Sequence, residues 1–271
     1  MLSVPRQVGL ESAPDNDVEA VPAVADDWQN QRRTPAAMRV NRGRVNDNVD
    51  YLFVSRGIPR DLVLALRDAS GAAAFVETGT YKGGTARWAG EQFDQVFTIE
   101  KSPQLHAAAK AEGTHQPNVD YLLGDSSEVM PGVVSKLSGP SVFWLDGHFS
   151  GDETAGADNE CPAIDEIAAI SESAHQHFVF VDDARLFLST PPSAHKRGDW
   201  PSLIDVIDAL RKLKGNPHIV VIADIIIAVP ATHRLLLEDW CVALNDQAWS
   251  RWLEKQSGQH NTGFVRRLLG R

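Results

Sequence analysis

The feature that most constrains the fold is a series of short apolar runs separated by longer segments with helical patterning. The runs are rich in β-branched and aromatic residues, and the first five are apolar almost throughout. Such runs are typical of parallel strands that helices cover on both faces of a sheet. The predicted strands are 72–79, 95–102, 119–125, 141–147, 177–183, 218–224 and 225–230.

The last two runs are almost adjacent, which leaves no room for the crossover that a parallel connection requires. They therefore predict a hairpin with one antiparallel strand. A helix is predicted at 201–215, where apolar residues have helical spacing and a glycine stands at the end. The chain is thus predicted to be an α/β protein with a doubly wound, seven-stranded, Rossmann-like sheet that is mostly parallel.

The 271 residues are predicted to form one large domain preceded by two N-terminal segments. Residues 1–26 are rich in Pro, Ala and Asp without periodicity, and are predicted to be a flexible leader. Residues 27–70 are predicted to form a helical extension or lid, with a helix after Pro59. The sheet follows, so 71–271 is the predicted main domain.

Charge and hydropathy argue against several classes of partner. The net charge of −10 is unsuited to a nucleic-acid backbone, which calls for clustered Lys and Arg. No apolar run reaches the roughly 18–20 residues of a membrane span, and no signal peptide is visible. Two distant cysteines, Cys161 and Cys241, fit a reducing compartment. We expect a cytoplasmic protein with no membrane or nucleic-acid partner, and the sequence leaves a homo-oligomer open.

An acidic residue stands at the end of each of the five predicted parallel strands. In a doubly wound sheet the ligand lies at the carboxyl ends of the strands. A surface without function would carry a carboxylate at only one or two such ends, so this pattern predicts a ligand site. The acidic residues are Glu77, Glu100, Asp125, Asp146 and the pair Asp182 and Asp183.

A glycine-rich loop, "ETGTYKGGT" (77–85), follows the first strand. It is neither the G-x-G-x-x-G fingerprint of dinucleotide sites nor a phosphate loop that ends in Gly-Lys-Ser/Thr. Because an acidic residue opens it, the loop would repel a phosphate and favour a cation or an ammonium group. The cofactor-binding residues predicted here are Glu77, Gly79, Thr80, Gly83, Gly84 and Thr85.

The next two strand ends indicate a nucleoside. Glu100 is placed to accept hydrogen bonds from two ribose hydroxyls, and Asp125 to accept one from an adenine amino group. Lys101 and Ser126 follow them directly and complete the predicted cofactor site. A nucleoside that carries a positive charge and no phosphate is S-adenosylmethionine, which is therefore the predicted cofactor.

Three motifs resemble the first three motifs of class I S-adenosylmethionine-dependent methyltransferases, namely "VETGTYKGGT", "FTIEKS" and "LLGDSSEVMP". The hairpin "HIVVIADIIIAVP" is similar to the sixth and seventh strands of that family. The resemblance covers roughly residues 70–230. It implies a Rossmann-like methyltransferase sheet and a catalytic domain at 71–271.

Two further motifs, "FWLDGH" and "FVFVDDAR", resemble the magnesium-dependent O-methyltransferases of the catechol and macrolide-sugar types. The resemblance implies that Asp146, Asp182 and Asp183 hold Mg²⁺, with Asp146 part of the catalytic centre. Carboxylate oxygens with water and substrate oxygens suit this ion. The implied acceptor is a small hydroxylated molecule, either a sugar or a secondary metabolite.

His148, two residues beyond Asp146, is the predicted general base, because imidazole titrates near neutral pH. Catechol-type enzymes use a Lys three residues after the first Asp, whereas this chain has Phe149. This difference argues against a close catechol-type relative. The polar loop at 150–162 is expected to shape the acceptor pocket, and its Glu160 is one candidate for a contact with substrate or metal.

Simpler interpretations of these residues stay open. The glycines could form a tight turn without a ligand, and Asp125 could cap the following helix. Asp182 and Asp183 could also be caps, although adjacent carboxylates repel each other without a cation. His148 could be a hydrogen-bonded structural residue. The segment "HKRGDWP" (195–201) is predicted to be solvated surface. A metal-independent methyltransferase and a catalytically silent binding module are the alternative functions.

Overall fold

The computed structural model describes residues 57–149, 159–191 and 194–269, with side chains up to residue 254. The predicted leader and residues 27–56 of the predicted extension lie outside the described residues. Seven strands form one sheet in the order β3-β2-β1-β4-β5-β7-β6. They are β1 (Ala74–Thr78), β2 (Gln95–Glu100), β3 (Val119–Leu123), β4 (Ser141–Leu145), β5 (Phe178–Val181), β6 (His218–Ile222) and β7 (Ile225–Val229).

The direction of the strands confirms the predicted fold class. The pairs from β3 to β5 are all parallel, whereas β7 is antiparallel to both of its neighbours, β5 and β6. The predicted hairpin is therefore present. The helices are α1 (Arg60–Ser70), α2 (Gly84–Gly90), α3 (Pro103–Glu112), α4 (Ser126–Val134), α5 (Ala163–Ser171), α6 (Leu203–Leu210) and α7 (Arg234–Leu269).

The central strands are buried at every position because helices cover both faces of the sheet. Side chains alternate between two apolar cores along each strand. Phe75 and Trp144 pack on the face covered by α1, α2, α3 and α7. Val76 and Phe143 pack on the opposite face, against α4, α5 and α6. This two-layer burial explains why the strand sequences are apolar without alternation.

The helix predicted at 201–215 is present but shorter at both ends. It begins at Leu203 and not at Pro201. Ser202 and Asp205 form a reciprocal capping box at the start of α6. The helix ends at Leu210, not at Gly215. Beyond it the chain continues in turns, in which a backbone N–H bonds to the carbonyl three residues earlier, as Lys212 N–H does to Ala209 O. Of the helices in the described part of the chain, none is long and apolar enough to cross a membrane.

The register brings the ends of the central strands to one edge of the sheet. Thr78 pairs with Ile99 on one side and with Leu145 on the other. Leu145 in turn pairs with Val181. The acidic residues that follow β4 and β5 therefore lie beside the glycine-rich loop that follows β1.

Candidate active site

The glycine-rich loop packs bare backbone against the end of β4. Gly79 has a φ of +78°, and a Cβ built there would lie 2.2 Å from the carbonyl oxygen of Asp146. Gly83 also has a positive φ, of +69°. Gly84 differs, because a Cβ there meets no atom within 4 Å. Packing alone thus requires glycine at position 79, whereas at position 84 it leaves space for a ligand.

Glu77 lies beneath this loop, within a chain of hydrogen bonds. Thr98 donates its hydroxyl to Glu77 Oε2 over 2.6 Å, and the hydroxyls of Thr98 and Thr80 are also 2.6 Å apart. Burial raises the pKa of Glu77 to about 8. The residue is 2% exposed, and the hydroxyl of Thr98 satisfies its buried carboxyl. Its contact with a cofactor stays a prediction.

Substituting Glu77 by glutamine should reduce the dependence of stability on pH. Between the ordinary pKa of 4.5 and the folded-state pKa of about 8, the folded protein keeps a proton that the unfolded chain has released. Stability therefore falls as pH rises, by about 1.4 kcal/mol per pH unit for this one group. Denaturant unfolding at about pH 5.5 and about pH 8.5 measures the effect. Equal losses in wild-type protein and Glu77→Gln would contradict it.

Glu100 fastens the tip of the loop to the end of β2. Its Oε2 accepts a hydrogen bond from the backbone N–H of Tyr81 over 2.9 Å, and its Oε1 accepts one from Ser102 over 2.8 Å. Tyr81 has a φ of +47°, so this bond supports an unfavourable backbone conformation. Each carboxylate oxygen can accept more than one hydrogen bond. The predicted contact with ribose hydroxyls is compatible with these bonds.

Asp125 caps helix α4, as the simpler interpretation of this residue expected. Its Oδ1 accepts hydrogen bonds from Ser127, over 3.0 Å from the backbone N–H and 2.6 Å from the hydroxyl. Its Oδ2 lies 2.8 Å from Lys101 Nζ. Burial raises the pKa of Asp125, but these hydrogen bonds outweigh burial and hold it below its usual value. The predicted adenine contact would have to share the carboxylate with these groups.

Glu166 is a buried acid beside this region that the sequence analysis missed. It lies on α5 and is 1% exposed, and its Oε1 has no hydrogen-bond partner among the described residues. Burial raises its pKa to about 7, and the neighbouring side chains of Ser126 and Thr78 act in the opposite direction. The glutamate therefore places a buried acid of α5 beside the ends of β1 and α4. No motif marked it, because its neighbours in the fold lie far away in the sequence.

Three carboxylates gather where β4 and β5 end. Burial raises the pKa of Asp146 to about 6 and that of Asp182 to about 8, and the neighbouring carboxylates add to both shifts. Carboxylates that suppress each other's ionisation match the donor chemistry of a divalent cation. Among the described residues, no group of three or more His, Cys, Asp or Glu side chains is arranged to hold a metal ion.

Asp183 is bonded to cationic groups of the protein. Its Oδ2 lies 2.7 Å from His148 Nε2, and its Oδ1 contacts the guanidinium of Arg185. Burial raises the pKa of Asp183, but His148 and Arg185 outweigh burial and lower it below the usual range. Arg185 also contacts Asp224, which lies in the β6–β7 turn. The sequence analysis missed this link between the hairpin and the site.

His148 is buried between two of the three carboxylates. Besides the bond to Asp183, its Nδ1 lies 3.8 Å from Asp146 Oδ1. Burial lowers the pKa of His148, but the bond to Asp183 and the charge of Asp146 raise it above the usual value. The imidazolium is therefore stabilised, and a role as general base requires loss of that proton.

The segment 195–201 is not simply solvated surface, so that expectation is wrong for Trp200. The indole is buried, at 8% exposure, and its ring centroid lies 5.6 Å from that of His148. His195 packs on the same indole, with a centroid distance of 5.1 Å. An aromatic side chain thus borders the predicted base.

Comparisons with known proteins give matches only at the level of solved structures. No protein-family model matches the chain, and no curated protein matches its sequence. A protein from Staphylococcus aureus predicted to be a caffeoyl-CoA O-methyltransferase is 17% identical, with a TM-score of 0.46. The match covers 66% of this chain and 85% of that one.

Two other solved structures are O-methyltransferases with ligands. The enzyme from Bacillus cereus in complex with S-adenosylhomocysteine is 15% identical, with a TM-score of 0.45, and the match covers 64% of this chain and 82% of that one. TomG from Streptomyces achromogenes, in complex with S-adenosylmethionine, is 17% identical with a TM-score of 0.42 and coverages of 65% and 82%. The names of all three describe O-methyltransferases. At these values they add nothing to the fold that the strand order already defines.

Proposed function

We propose that the protein is a cytoplasmic S-adenosylmethionine-dependent methyltransferase that acts on a hydroxyl group of a small molecule. The observation that carries this proposal is the juxtaposition at the carboxyl edge of the sheet. There, the glycine-rich loop after β1 lies against the end of β4, beside the carboxylates that follow β4 and β5. A cofactor site and an acceptor site would then share one border.

The cofactor would lie along the loop and the ends of β2 and β3. Gly84 leaves room for it, Glu100 would accept hydrogen bonds from the ribose, and Asp125 one from the adenine. S-adenosylmethionine supplies an activated methyl group on a positively charged sulfur. The acidic edge favours a cation over a phosphate, whereas the buried carboxyl of Glu77 keeps its proton at neutral pH. Catalysis would rest mainly on alignment of acceptor and methyl group in a site with little water.

Magnesium would be held by Asp146, Asp182 and Asp183. The raised pKa values of Asp146 and Asp182 support this, because a cation would relieve the repulsion between them. When bound, Mg²⁺ lowers the pKa of an acceptor hydroxyl and orients it. His148, once it has lost its own proton, would accept the proton of the acceptor hydroxyl.

A metal-independent methyltransferase is the second candidate. It is favoured by the bonds of Asp183 to His148 and to Arg185, which already neutralise this carboxylate. Asp146 and Asp182 would then position the acceptor directly.

Calorimetric titration of the full chain with S-adenosylmethionine, with and without Mg²⁺, tests the proposal. Binding supports a methyltransferase and justifies a screen of hydroxylated acceptors for formation of S-adenosylhomocysteine. Turnover that persists in a chelator would select the metal-independent candidate. Absence of binding in both conditions would overturn the proposal and favour a catalytically silent module.

Substituting Glu100 by alanine should weaken cofactor binding about tenfold or more, because a charge-assisted hydrogen bond contributes about 1.5–3 kcal/mol. Glu100→Gln keeps one acceptor oxygen and should lose less. Glu172→Ala, at an exposed position after α5, is the matched control. Calorimetry gives the three affinities, and an unchanged affinity in Glu100→Ala would exclude the ribose contact.

A further inference from the structure

Glu160 joins two chain segments that border the candidate acceptor side of the site. Its Oε2 accepts three hydrogen bonds, from Trp200 Nε1 over 2.9 Å, from the backbone N–H of Lys196 over 3.0 Å, and from His195 Nδ1 over 3.2 Å. The residue is 3% exposed. Oε2 is therefore occupied by donors of the protein itself.

The backbone of Glu160 also bonds to both of these segments. Its N–H donates to Asp199 Oδ2 over 3.2 Å, and its carbonyl accepts a hydrogen bond from the N–H of Phe149 over 2.8 Å. Phe149 directly follows His148 in the sequence. The segment after β4 and the segment before α6 are thus bonded to each other through one residue.

Trp200 connects Glu160 to His148. Its indole packs between His148 and Phe187, each with a centroid distance of 5.6 Å. The indole N–H donates its hydrogen bond to Glu160 Oε2. A rotation of the ring away from His148 would break this hydrogen bond and leave a buried carboxylate with fewer donors.

We propose that Glu160 is a positioning residue that holds Trp200 against His148, so that one wall of the acceptor side is formed before the acceptor binds. Hydrogen bonds to an ionised acceptor are roughly twice as strong as those between neutral groups, and three of them converge on one oxygen. The acceptor side rests on the proposed function. The contact between Glu160, Trp200 and His148 does not.

Nuclear magnetic resonance of the full chain without cofactor, acceptor or metal tests this inference. Trp200→Phe assigns the indole N–H signal by its loss. In Glu160→Ala, that signal should move and its hydrogen exchange should become about tenfold faster, because the acceptor is lost. The ring signals of His148 should move with it. Glu160→Gln, which keeps one acceptor oxygen, should give intermediate changes, and Glu172→Gln should give none.

Unchanged indole and His148 signals in a folded Glu160→Ala variant would overturn the inference. If this variant does not fold, Glu160→Gln decides in the same way. Titration with S-adenosylmethionine separates the two sites: cofactor affinity should stay within about twofold of wild type in Glu160→Gln. A parallel loss of affinity would overturn the assignment to the acceptor side. Failure of the wild-type protein to bind the cofactor would overturn the proposed function and leave the resonance result standing.

Discussion

Replacing Gly79 by alanine should destabilise the protein by about 3 kcal/mol and abolish binding of S-adenosylmethionine. Two effects add. A φ of +78° is unfavourable for any residue with a Cβ, and this Cβ would lie 2.2 Å from the carbonyl oxygen of Asp146. Neither the loop nor the end of β4 can move aside, because Gly79 N–H is bonded to Ile99 O and Asp146 N–H to Thr78 O.

Denaturant unfolding and calorimetry measure the two losses. The matched control is Gly132→Ala in α4, where the new Cβ meets no atom within 4 Å. Alanine favours a helix over glycine by roughly 0.5–1 kcal/mol, so the control should be as stable as wild type or slightly more stable. Wild-type stability in Gly79→Ala would show that the loop does not pack against β4 as the structure describes.

The sequence predicted the sheet well because burial on both faces leaves a direct trace. A strand such as β4 has no exposed position, so its sequence is apolar from Val142 to Leu145. The short link between β6 and β7 excludes a crossover, and the hairpin follows from that alone. Because the carboxyl ends of parallel strands meet at one edge of a sheet, the sequence also predicted that the acidic residues at these ends lie along one edge.

Helix ends were less predictable, as the stretch 201–215 shows. Apolar spacing extends to Leu213, which is buried, yet α6 ends at Leu210. Tightened turns after Leu210 keep Leu213 in the core without regular helical geometry. Periodicity reports which side chains are buried, and it does not distinguish a helix from the turns that continue it.

The partners of the site residues could not be predicted, because they are distant in the sequence. Arg185 joins Asp183 to Asp224, which lies 39 residues beyond the arginine. Glu160 and Trp200 are 40 residues apart. Asp125 was predicted as a cofactor ligand or a cap, and only the structure adds its bond to Lys101. Residue types at strand ends indicate that a site exists, whereas its bonds depend on loops with no periodic pattern.

Asp182→Asn and Asp182→Ala should abolish methyl transfer while binding of S-adenosylmethionine survives. Asp182 follows β5, and burial together with Asp146 and Asp183 raises its pKa to about 8. Loss of this carboxylate removes one ligand of the proposed Mg²⁺ site but no group of the proposed cofactor site. Turnover should fall more than about 100-fold, since changing residues that only support a metal ligand already costs about 10–100-fold.

The control for Asp182 is Asp208→Asn, an exposed carboxylate on α6 that pairs with Arg211. It should keep both turnover and cofactor affinity, because exposed ion pairs contribute little.

Equal loss of turnover and cofactor binding in the Asp182 variants would indicate a folding defect. Full turnover in Asp182→Asn would exclude this carboxylate from the chemistry. A fall in turnover that is the same with Mg²⁺ and with a chelator would assign Asp182 to the acceptor and not to a metal. That outcome would make the bonds of Asp183 to His148 and Arg185 the resting arrangement of a metal-independent enzyme.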